Sequence, residues 1–130
     1  MTTTLQQNSL ENLARTLRDL SSLDRQLKYK AAVPFVHVPV ELIAQWDGHA
    51  RMSREVSWFR ELFTHQELDA MAELHEAVED IWTAQEGNLP DVPEILTDAR
   101  WLHLTRLAQD LAGRLASKLP PPTEPHKAAL

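Results

Sequence analysis

Three features of the 130-residue chain predict an all-α fold, a small helical bundle of about four to five helices. Glycine is scarce, with three residues in all, whereas sheets and phosphate-binding loops need it at their turns. Apolar residues recur at three- and four-residue spacing along most of the chain. Leu, Ala, Gln, Glu and Arg, all good helix formers, dominate what remains. A chain of this length makes one domain, expected over residues 1–119, and buries about two-thirds of its unfolded surface.

Leu10, Leu13, Leu17, Leu20 and Leu27 fall on an a/d heptad row and predict a first helix from about Ser9 to about Lys30. Asp24 interrupts the row at an a position. Ser21-Ser22 offers a rival arrangement, a break at which Ser22 caps a second helix. A seven-residue row suits pairing with another helix, so these five leucines are the expected seam of a homo-oligomer, a homodimer at its simplest, with Asp24 restricting register.

Val33-Pro34-Phe35-Val36-His37-Val38-Pro39 carries two prolines and is expected to be a buried extended connector, at most a short edge strand. A short helix follows over about Val40 to Asp47, closed by Gly48 as its C-cap. The next runs from about Arg54 to Phe63, capped by Ser53, with Val56, Phe59 and Phe63 on one face. Thr64-His65-Gln66-Glu67 is a capping box and starts a long helix to about Glu86. On that helix Leu68, Met71, Leu74, Val78, Ile81 and Trp82 share one side. His65, Asp69, Glu73, Glu76 and Asp80 share the other. Gly87, Pro90 and Pro93 mark residues 87–97 as a loop. A last helix over about Asp98 to Leu119 uses Trp101, Leu104, Ala108, Leu111 and Leu115, and the proline-rich tail 120–130 is expected to be disordered.

The net charge of −6 is unevenly laid out. Between Glu61 and Ala99 there are eleven acids and no Lys or Arg, while residues 1–60 carry +2 and residues 100–130 carry +3. Like charges at i,i+4 on a helix cost a few tenths of a kcal/mol per pair, so stability alone would favour interleaved lysines. The bland explanation is a solvated side neutralised by Arg15, Arg18, Arg25 or Arg106 from neighbouring helices. The functional one is a recognition face, Asp69, Glu73, Glu76 and Asp80, for a basic protein partner. Direct nucleic-acid binding is not expected, because phosphate requires a concentrated basic field.

Cysteine is absent, which excludes disulfides, thiolate metal sites and thiol nucleophiles. There is no Gly-x-Ser-x-Gly, Walker loop or dinucleotide fingerprint. No catalytic residue, cofactor or metal is therefore expected. The alternative is a small metal- or ligand-binding helical-bundle enzyme built on histidines and carboxylates, with His65 and Asp69 as the candidate metal pair and His49 or His75 as further groups. The Glu-x-x-His repeat of di-iron bundles is missing. Trp46, Trp58, Trp82 and Trp101 with Phe35, Phe59 and Phe63 are expected to be core, the rival being the lining of a ligand cavity. Leu17 to Leu27 resembles the opening helix of the all-helical chorismate mutases. The resemblance implies a longer first helix and cations for a dicarboxylate, yet Pro34 stops the helix and residues 61–99 offer no cation, so that activity is not expected. No apolar run approaches the about 18 residues that span a bilayer, and the opening Met1-Thr2-Thr3-Thr4-Leu5-Gln6-Gln7 lacks the basic and apolar regions of a signal peptide, so none is expected. The expectation is a cytoplasmic, non-enzymatic helical interaction protein (a dimerising regulator, adaptor, chaperone or inhibitor-like module) that does not enter the membrane.

Overall fold

Helix α1 spans Thr4–Leu20, α2 Leu23–Ala32, α3 Val38–Glu55, α4 Ser57–Arg60, α5 His65–Ala84 and α6 Ala99–Arg114, with a 3-10 turn at Glu94–Thr97. The computed structural model describes residues 3–121, and among them there is no strand, as the all-α reading expects. Most of the proline-rich tail lies outside the described residues.

The four long helices form a closed ring: α1 packs on α3, α3 on α5, α5 on α6 and α6 back on α1, the α5–α6 pairing being the most extensive. Their apolar stripes meet at the centre through Leu13, Leu17, Leu42, Trp46, Met71, Leu74, Ile81, Trp101 and Leu104, all buried. Each such side chain contributes roughly 1.5–3 kcal/mol by leaving water, which outweighs the weak helix propensity of the shorter segments. Phe59 of α4 closes one end, edge-on to Trp58 and Phe63 with ring centroids at 6.1 and 5.1 Å.

The heptad row is spent inside the molecule. Leu10, Leu13, Leu17 and Leu20 are buried against the chain's own α3 and α6, and Leu27 alone of the five is exposed, at 44%. A seam running from Leu10 to Leu27 is thus not a surface of this fold. The reason is the break at Ser21-Ser22: α1 ends at Leu20, the Ser22 hydroxyl accepts from the Arg25 amide, and α2 turns away. Buried Gln26 holds the corner. Its amide donates to the carbonyls of Asp19 and Leu20 at 2.9 and 3.2 Å, while its oxygen accepts from the Trp101 indole at 2.9 Å. The end of α1 and the start of α6 are so tied to one side chain. The helix expected over about Ser9 to Lys30 is two helices, and the first begins earlier, with Thr3 and Gln6 forming a capping box.

Other boundaries move too. The connector is neither buried nor extended throughout: residues 34–36 form a turn and Phe35 is 86% exposed. Pro39 stands in the first turn of α3, where its missing N–H costs nothing, and His37 caps the helix through Nδ1. Gly48 lies inside α3, not at its end, because Trp46 and Ala50 on either side are anchored in the core. Ser53 is likewise internal, donating to the Ala50 carbonyl, so the expected helix over Arg54 to Phe63 shrinks to α4. The capping box at Thr64 and Glu67 is present as the sequence reading has it.

Candidate functional site

Among the eleven acids of the 61–99 block, two groups stand out. Several are used by the fold. Glu67 pairs with Lys118, whose ammonium also donates to the Leu62 carbonyl at 3.0 Å. Burial pushes the pKa of Glu67 up, but the hydrogen bonds from Lys118 and Thr64 outweigh it and leave the carboxyl below its ordinary value. Asp91 takes the Lys30 ammonium at 2.7 Å and the amides of Val38 and Val92 at 3.2 and 2.7 Å. Those donors overcome the opposing effect of burial and hold it low. The same Lys30 reaches the carbonyls of Pro34 and Val36, and His37 Nε2 donates to the Leu89 carbonyl, which leaves Nδ1 free to cap α3. Asp98 caps α6, accepting from the amides of Arg100 and Trp101.

The second group is the α5 stripe. Asp69, Glu73, Glu76 and Asp80 are all exposed, on the side of α5 opposite buried Met71, Leu74, Val78 and Ile81. None of the four forms an ion pair among the described residues. The cations that would make the stripe an ordinary neutralised face are engaged elsewhere: Arg15 on Asn12, Arg18 on the Pro120 carbonyl, Arg25 on Asp19. Arg106 forms no ion pair with the stripe among the described residues. Beside Asp80 a groove of about 580 Å³ runs between the end of α5 and the first turn of α6, walled by Ala77, Ala84, Ala99, Arg100 and His103. The stripe was readable from helical spacing. The groove was not, because it depends on how α6 docks beside α5.

The histidines are dispersed. His65 and Asp69 are both exposed on the first turns of α5, and among the described residues no three His, Asp or Glu side chains are grouped as metal ligands would be. His49, expected in a loop, faces inward from α3 with Nε2 3.1 Å from the Thr16 hydroxyl, which itself donates to the Asn12 carbonyl. Burial pushes its imidazole down to about 4, so at neutral pH it is uncharged, half-buried between α3 and α1. His75 stands between Asp47 and Glu79, with Nδ1 3.7 Å from the first and Nε2 3.2 Å from the second. Burial raises Asp47, with Glu79 adding to it and the positive neighbourhood of His75, Arg51 and Arg54 opposing. Asp47 thus turns toward α5 and His49 toward α1, so the two do not share a site.

Comparison with protein-family models, with curated proteins and with solved structures gives no match. Any functional reading rests on the side chains alone. Trp46, Trp101 and Phe59 are sealed in the core rather than arranged around a cavity, and no helix among the described residues is long and apolar enough to cross a membrane.

Proposed function

We propose that the chain is a non-enzymatic helical interaction module that presents the acidic side of α5 to a basic protein partner. One observation carries the reading: Asp69, Glu73, Glu76 and Asp80 are exposed and uncompensated, although the chain supplies cations for Glu67, Asp91 and Asp19. Two i,i+4 pairs (Asp69/Glu73 and Glu76/Asp80) and one i,i+3 pair (Glu73/Glu76) repel, at a few tenths of a kcal/mol each. A destabilising stripe beside well-paired acids makes sense if a partner supplies its counter-charges. Such a field also steers a cationic partner toward the face and fixes its register, effects that salt weakens.

The test is affinity capture from extracts of the native host, with the full chain and its Glu73→Lys/Glu76→Lys variant as parallel baits. The expected result is a partner of high isoelectric point that the parent chain retains and the variant does not, and that is released near about 1 M salt, where the Debye length is about 3 Å. Recovery of the same proteins by both baits, indifferent to salt, overturns the reading.

A further inference from the structure

The groove beside the acidic stripe has rims of opposite sign. On the α5 side stand Asp80, the last carboxylate of the stripe, and Glu79, which His75 contacts at 3.2 Å. On the α6 side stand Arg100 and His103, both exposed. Across the groove these groups make no ion pair with one another among the described residues, although opposite charges on neighbouring helices ordinarily would if they could reach. The floor and walls between them are small: Ala77, Ala84, Ala99 and the short side chain of Thr83. Alanine walls let another backbone approach closely, and the trough lies between two packed helices.

We propose that this groove receives an amphipathic helix of the partner, its apolar edge over Ala77, Ala84 and Ala99, its lysines or arginines against Asp80 and the stripe, and a carboxylate against Arg100 and His103. This deepens the reading of the acidic face and rests on it. Helix-in-groove recognition needs an apolar trench for affinity and flanking charges for orientation, and both are present. Opposite rims also set direction: a helix with cations on one flank and acids on the other matches both rims in one orientation and clashes with both when reversed.

The experiment uses the intact chain and labelled helical peptides of about five turns, read by fluorescence anisotropy at low salt. One peptide carries leucines along one edge with lysines and glutamates on opposite flanks. A second has lysines on both flanks, and a third is an unstructured oligolysine. The bipolar peptide is expected to bind the parent chain most tightly. Ala84→Phe, which fills the trench from an exposed wall, should weaken the bipolar peptide at least about tenfold and leave oligolysine unchanged. Arg100→Glu should invert the preference toward the peptide with two lysine flanks. If Ala84→Phe melts early, Ala99→Phe carries the same test from the opposite wall. Unaltered affinity in a folded trench-filled variant, with binding lost in Glu73→Lys/Glu76→Lys, overturns the groove while leaving the acidic face standing. Indifference to all of these variants overturns both. If instead the parent chain self-associates and Ala84→Phe abolishes that, a second copy is the occupant and the proposal fails.

Discussion

Gln26 shows how much one buried polar side chain can decide. Fully enclosed, it satisfies two carbonyls at the end of α1 and the indole N–H of Trp101. Gln26→Ala leaves buried groups unpaired and is expected to cost at least about 2 kcal/mol in urea or thermal unfolding, far above the cost of an exposed Gln→Ala. His49 gives a matching expectation in pH. Its imidazole titrates near 4 when folded and near 6.5 in the ordinary case, so between those values the unfolded chain binds the extra proton. Stability is therefore complete above about 6.5 and falls as pH drops toward 4, by on the order of 2–3 kcal/mol. Denaturant melts across that window should show the slope in the parent chain and its loss in His49→Gln. The carboxylates held low, Glu67 and Asp91, lose their contribution only at lower pH, so the two effects separate.

At the scale of the element, caps and breaks decide where helices begin and end. Gly48 is the sharpest case. It sits in α3 without positive φ and a Cβ there would meet nothing within 4 Å, so Gly48→Ala should raise stability by about 0.5–1 kcal/mol in a thermal melt. Gly87 is the opposite case: its φ of 77° and the Trp82 ring 3.4 Å from any added Cβ make Gly87→Ala destabilising. The apolar faces of α5 and α6 and the Thr64 box were legible in the sequence because they are local, except that Trp82, expected in the core, is 39% exposed. The Thr3/Gln6 box is equally local, set by a threonine and a glutamine three residues apart. The split at Ser21-Ser22 was legible as one of two arrangements, with Ser22 as the cap that the structure shows, but the choice between them and the continuity of α3 through Gly48 were not, since each is decided by a distant partner, Trp101 in one case and the core around Trp46 in the other. Proline spacing misled at residues 33–39, where Pro39 starts a helix instead of preventing one.

For the whole molecule, the ring of four helices consumes the leucines of α1, and a change there should act on folding rather than on assembly. Leu17→Glu buries a charge at a site with no exposure and is expected to unfold the chain, seen as lost helical circular dichroism. A folded variant of lower sedimentation mass would instead restore the oligomer seam. The stripe of α5 is the converse case. Glu73→Lys/Glu76→Lys relieves repulsion and should raise the melting temperature slightly while removing partner binding, an outcome that separates recognition from stability. Half of the candidate site was legible from spacing alone, namely four acids on one side of a helix. Its lack of counter-charges was not, because that depends on where Arg15, Arg18 and Arg25 turn. The most direct measurement is chemical-shift mapping of the isotope-labelled chain titrated with the captured basic partner. Perturbations should centre on the exposed side of α5 and the first turn of α6. A footprint on α2 and the exposed Phe35 turn, with α5 undisturbed, would contradict the acidic face as the recognition surface.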